Sequence, residues 1–146
     1  VYISRQNERC LFLKRAGSNG EIVNFMRGGI FNPVGSISID TSTTTYATSS
    51  DYRLKENVVY DWDATTRLKQ LKPARFNFIV NPDNTVDGFL AHEVSSIVPE
   101  AITGTKDEVD DDGNAVMQGI DQSKLVPLLV KTIQELEARI TALEGE

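Results

Sequence analysis

Two side chains in this sequence could act together as chemistry. Ser50 and Lys55 stand five residues apart in the stretch "TSSDYRLKEN". A lysine amine that has lost its proton can act as a base toward a serine hydroxyl, and the serine then becomes a nucleophile. The condition is demanding. Lysine ordinarily holds its proton up to a pH of about 10.4, so the amine must be buried or crowded by positive charge before it can accept one. Arg53 lies between the pair and could supply such charge. The same spacing also describes an ordinary loop followed by a solvated lysine, and the pair by itself does not separate these readings.

Other constellations fail on composition or spacing. "EVDDDGN" places Glu108, Asp110 and Asp112 at the first three ligand positions of a calcium loop and Gly113 at its turn. The twelfth position would then be Gly119 rather than the bidentate glutamate such a loop needs, so an acidic, solvated hairpin is expected instead. His92 is the only histidine and Cys10 the only cysteine. One of each does not make a zinc site or an intrachain disulfide, and no nucleophile elbow accompanies the histidine to suggest a Ser-His-Asp triad. Gly28 and Gly29 lack the spacing of a phosphate loop and read as a turn. No metal or cofactor is expected.

The elements that must position Ser50 and Lys55 divide into two regions of different character. The whole is 146 residues with a net charge of −6, which argues against a basic stripe for nucleic acid and gives no reason to expect an anionic membrane as partner. No apolar run reaches the length of a membrane-spanning helix. The N-terminal stretch "VYISRQNERC" lacks a basic region followed by an apolar one, so no signal peptide is expected, and the missing initiator Met suggests a piece of a longer chain. Within residues 1–47, "VYIS", "CLFLK", "EIVNFM" and "GSISID" predict short strands, broken at "AGSNGE" and "RGGIFNPVG". Their aliphatic content is too thin to bury a core, so partner chains are expected to complete them. "TSTTTYATSS", residues 41–50, reads as an exposed connector.

From Asp51 onward the pattern is α+β with short elements. Asp63 is a predicted N-cap for a helix through Leu68 and Leu71 that Pro73 ends. "ARFNFIV" predicts a strand with Phe76, Phe78 and Val80 on one face and a turn at "NPDN". "VDGFLAHEV" predicts a second strand, leading into a short helix at "EVSSIV" that Pro99 ends. The strongest periodicity comes last. Val126, Leu129, Ile133, Leu136, Ile140 and Leu143 alternate spacings of three and four, a heptad seam. The alternative is an amphipathic helix packed on its own domain. Pro127 must sit in the first turn, because it lacks a backbone donor.

Four blocks then change the weight of the Ser/Lys pair. "SDYRLKENV", "LKPARFNFI", "GFLAHEV…VPEAI" and "GIDQSKLVPLLVKTIQELEARITALE" follow one another between residues 50 and 144. Together they closely resemble the C-terminal intramolecular chaperone domain of phage tailspikes and tail fibres, the endosialidase-type or peptidase S74 family. Residues 1–47 look like the end of a trimeric β-stalk from such a fibre. The resemblance implies a domain that assists trimerisation and folding of the fibre and then removes itself at the serine opening the S-D-x-R-x-K block. That serine is Ser50 and its lysine partner is Lys55. Asp51 and Arg53 match the block and receive no chemical role from it. His92 stands where the family usually has Gln.

The expected organisation is therefore a stalk end at 1–49 and a self-cleaving chaperone domain with a C-terminal coiled coil at 50–146. The expected partners are two further copies, with the upstream fibre of the same chain as folding client. The implied setting is the host cytoplasm during virion assembly, with the mature fibre on the virion tail. Ser49, Ser50 and Asp51 bracket the cut. Attack by the Ser50 hydroxyl on its own carbonyl would close a strained four-membered ring, whereas attack on the Ser49 carbonyl closes a five-membered one, so the bond between Ser49 and Ser50 is favoured. The alternative is a trimerisation module that stays attached. A receptor-binding tip has no support such as an exposed aromatic cluster.

Overall fold

The computed structural model describes residues 11, 13–28 and 33–145. The chain divides into two compact units, Val1–Val58 and Val59–Glu146. Its architecture is α+β, built from small antiparallel sheets and short helices with one long helix at the C-terminal end.

The first unit is a three-stranded antiparallel sheet in the order β1 (Gly20–Met26), β2 (Pro33–Ile39), β3 (Thr44–Thr48). Alternating residues and a tight turn explain it. Ile37 pairs with Tyr46 and Ile39 with Thr44, while Asp40 organises the connection between them. The Asp40 carboxylate accepts from the Ser42 and Thr43 amides, both at 2.7 Å. These bonds, that from Ser42 foremost, hold its pKa down at about 2. Gly35 is obligatory for packing, since a Cβ there would lie 2.8 Å from the Ala47 carbonyl oxygen. Among the described residues of this unit none is buried. That agrees with strands too poor in aliphatics to form a core alone.

Two expectations change here. The threonine-rich connector is in part strand β3, paired to β2 along its length, although every residue in it is exposed. β-branched side chains suit a ladder even where nothing covers them. The predicted strand "VYIS" lies outside the described residues, as does part of "CLFLK", whose described members Leu11, Leu13 and Lys14 are not in a strand.

The second unit holds the buried core: Ala64, Val94, Val98, Ala101, Leu125 and Leu128, ringed by Trp62, Leu68, Leu71, Phe89, Ile97, Ile102 and Ile120. α1 (Ala64–Leu68) starts where predicted, with the Asp63 side chain accepting from the Thr66 amide at 3.0 Å. β4 (Ala74–Phe78) and β5 (Asn81–Gly88) form a hairpin, and Phe76 and Phe78 meet edge to face at 5.4 Å. The turn is at Ile79 and Val80 rather than at "NPDN". Phe78 pairs with Asn81 and Asn77 with Thr85, so residues 82–84 bulge out of β5. The Asn77 side chain bridges that bulge by donating to the Pro82 carbonyl at 2.9 Å.

α2 (Ala91–Val94) begins earlier than expected, and Pro99 opens a 3-10 turn, Pro99–Ala101, instead of closing a helix. β6 (Ile102–Thr103) pairs with β7 (Gly119–Ile120). Between them the acidic stretch folds on itself as a hairpin. Asp110 accepts from the Asn114 amide at 2.8 Å and the Asp112 amide at 3.0 Å, and Gly113 takes a φ of 82°. The first of these bonds is the main reason the Asp110 carboxyl sits below the ordinary range.

α3 (Val126–Glu144) follows a 3-10 turn, Gln122–Leu125, that Asp121 caps by accepting from the Ser123 amide. Pro127 sits in the first turn, as its missing donor requires. The helix turns Leu128 and Thr132 into the core.

Candidate functional site

The residue before Ser50 is tied to the sheet. The Ser49 amide donates to the Val34 carbonyl at 3.1 Å, and the Ser49 hydroxyl donates to the Pro33 carbonyl at 3.0 Å. These bonds extend the β2/β3 ladder by one residue and fix the chain on the N-terminal side of Ser50.

The chain beyond Ser50 turns back at once. Asp51 accepts from the Arg53 amide at 2.9 Å and so caps a 3-10 turn, Tyr52–Leu54. Within it, the Leu54 amide donates to the Asp51 carbonyl and the Lys55 amide to the Tyr52 carbonyl, both at 3.1 Å. The fold-back brings the Lys55 Nζ to 2.8 Å from the Ser50 Oγ. As an ammonium, Nζ donates to the hydroxyl oxygen. As a neutral amine, the same contact would let it take the hydroxyl proton, and the separation lies within the reach a general base needs.

Arg53 does not supply the free positive charge expected of it. Its Nε and Nη2 each donate to the Asp51 carboxylate at 2.8 Å, a two-point ion pair. The guanidinium holds the Asp51 carboxyl below its ordinary range, with the Arg53 amide and the charge on Lys55 adding to the effect. Asp51 in turn raises Arg53. Each charge is thus largely offset by the other. Ser50 and Lys55 are both exposed, and so are Tyr52, Leu54 and Val58 around them.

With this geometry in place, comparison with family models returns a match. Residues 50–103 fit the model Peptidase_S74, chaperone of endosialidase. Over that stretch the chain is similar to the peptidase S74 family. Comparison with curated proteins gave no match. The S74 match begins at Ser50 and contains three of the four blocks on which the resemblance rests. The fourth, residues 119–144, lies beyond it. The S74 family is one of autoproteolytic intramolecular chaperones.

The six seam residues lie on α3 outside the S74 match. Val126, Leu129, Ile133, Leu136, Ile140 and Leu143 are all exposed, from 42% for Leu136 to 75% for Leu143. The helix does pack on its own unit, but through a different face: Leu128 and Thr132 go inward, and Glu135 reaches α1. Docking and seam are therefore separate stripes of one helix. His92 is exposed on α2, and among the described residues its ring has no hydrogen-bond partner; its carbonyl accepts from the Ser95 hydroxyl at 2.8 Å.

Two contributions were hidden from sequence reasoning. Asp51 has a structural role at the site, and an aspartate two residues before an amide it can cap is a readable turn signal. The anchoring of Ser49 depends on Pro33 and Val34, sixteen and fifteen residues upstream, and had no local signal.

Proposed function

We propose that this chain is an intramolecular chaperone that gathers three copies, aids folding of the β-structured fibre preceding it, and then cuts itself free at Ser50. The observation that carries the reading is the 2.8 Å contact between Lys55 Nζ and Ser50 Oγ, at the start of an S74 domain. Ser50 Oγ attacks the Ser49 carbonyl carbon and its proton passes to Lys55. The bond from that carbon to the Ser50 nitrogen breaks, and the nitrogen takes up a proton. Water then hydrolyses the resulting ester, leaving a Ser49 carboxylate and a free Ser50 amine.

Assembly gives a reason for timing. Lys55 is exposed in the single chain, among apolar side chains that are also uncovered. Packing of copies around the site would remove water from the amine and favour its neutral form. Cleavage would then follow folding. The exposed seam of α3 supports three-fold association, since a row of uncovered Ile, Leu and Val is stabilised by burial. Contacts in interwoven β-structure are distant in sequence and slow to register. A helical nucleus that aligns the chains shortens that search, and its removal leaves the mature fibre kinetically hard to unfold. Mass spectrometry of the purified chain tests the reading: two fragments support it, and one intact mass under native, assembled conditions sinks it.

A further inference from the structure

Five residues of extended chain would separate Ser50 from Lys55 by about 17 Å. The observed 2.8 Å contact exists because the backbone reverses between them, and one side chain organises that reversal. We infer that Asp51 is a positioning residue, whose carboxylate builds the turn that delivers Lys55 to Ser50. The inference rests on the proposed Ser50/Lys55 cut and adds to it a residue that touches neither reacting atom.

The geometry is specific. Asp51 Oδ1 accepts from the Arg53 amide at 2.9 Å, the cap of the 3-10 turn Tyr52–Leu54. The turn ends when the Lys55 amide reaches the Tyr52 carbonyl at 3.1 Å. Lys55 itself has returned to extended backbone, with φ −125° and ψ 141°, so its side chain leaves the turn toward Ser50. Arg53 fixes the rotamer of Asp51 by a two-point contact that occupies both carboxylate oxygens. That contact also keeps Asp51 from pairing with the Lys55 ammonium. An Asp51 turned toward Lys55 would compete with Ser50 for the amine and stabilise its protonated form. The ion pair therefore holds the acid in the orientation that organises the turn, with both carboxylate oxygens on Arg53 and no direct bond to the base.

The test compares Asp51→Ala, Asp51→Asn and Ser50→Ala in the full chain. It follows the first-order rate of cleavage after dilution from denaturant, with light scattering for assembly. Asp51→Ala should assemble and cut at least about tenfold more slowly, the scale on which a misplaced catalytic group costs rate. Asp51→Asn keeps an oxygen acceptor for the Arg53 amide and should recover the rate to within about threefold of the parent, since Asn caps about as well as Asp. That rescue distinguishes turn building from a general need for charge. Asp51→Ala cutting at the parental rate while Ser50→Ala stays whole overturns this inference alone. So does Asp51→Asn as slow as Asp51→Ala, or a slow Asp51→Ala that has also lost assembly. A parent chain that stays whole, or a Ser50→Ala that is cut, overturns the Ser50/Lys55 reading as well.

Discussion

Glu135 of α3 closes the N-terminus of α1 through Thr65: one carboxylate oxygen accepts the Thr65 amide at 2.8 Å and the Thr65 hydroxyl at 2.5 Å. The other accepts the Ala64 amide at 2.9 Å. Amides at a helix start have no partner within the helix, so a carboxylate there is favoured by hydrogen bonds and by the helix dipole. The long helix is thereby fixed in rotation, with Glu135 and Leu128 inward and the heptad seam outward.

This contact predicts a pH dependence. The Ala64 amide first, and then Thr65, hold the Glu135 carboxyl below the ordinary glutamate value of 4.5. A carboxyl with a depressed folded-state pKa contributes stability that is present above 4.5 and lost as pH falls through the lower, folded value. Glu135→Gln should melt below the parent at neutral pH, and the gap should close as the solution is acidified through that window. Thermal melts at a series of pH values check this. A gap that stays constant down to strong acid would contradict it.

Thr132 offers a stabilising change. It is 3% exposed, and its hydroxyl has no partner among the described residues. A buried polar atom without a hydrogen bond costs stability, and a methyl of similar shape does not. Thr132→Val should raise stability by about 1 kcal/mol, read as a shift in the denaturant midpoint at unchanged slope. A lower midpoint would mean that the hydroxyl is satisfied in the assembled protein.

The seam is tested by charge. Ile133→Asp with Leu136→Asp would bury carboxylates without partners in any three-helix seam. Both side chains are exposed in the single chain, so the unit's own core is untouched. The double variant should stay folded and become monomeric by light scattering at micromolar concentration, while the parent is trimeric. A folded, trimeric double variant, or a stable monomeric parent, would contradict the assembly role.

His92→Gln introduces the residue that the sequence resemblance implies at this position. The ring is exposed and makes no hydrogen bond among the described residues, so its loss removes none from the single chain. Cleavage should be kept or improved, as gel densitometry over time would record. Complete loss of cleavage would show that an imidazole takes part in the proton transfer.

Much of this was legible in the residues, for physical reasons that also explain the failures. The α3 seam was plain because a period of three and four over eighteen residues has few other solutions, and Pro127 and Asp63 marked helix starts by their chemistry. What the period could not say is that a second stripe, Leu128, Thr132 and Glu135, would carry the packing. The hairpin tip was misplaced because Ile79 and Val80, β-branched and apolar, look like strand, while the Pro and Asn residues that signal a turn sit in the bulge beside it. β3 was read as a connector because hydroxyl-rich sequence suits both. Ser50 and Lys55 were found through motif and resemblance; the Asp51 cap beside them had a local turn signal that was passed over, whereas the anchoring of Ser49 on Pro33 and Val34 required coordinates.

The most direct test of the account is the intact mass of the purified, assembled protein beside Ser50→Ala and Lys55→Arg, with N-terminal sequencing of any released fragment. The parent should give two fragments, the second beginning at Ser50. Ser50→Ala should give one intact mass because the nucleophile is gone, and Lys55→Arg should do the same because a guanidinium stays protonated. Both variants should remain trimeric. Parental cleavage in Ser50→Ala, or a released fragment that begins at any other residue, would contradict the account.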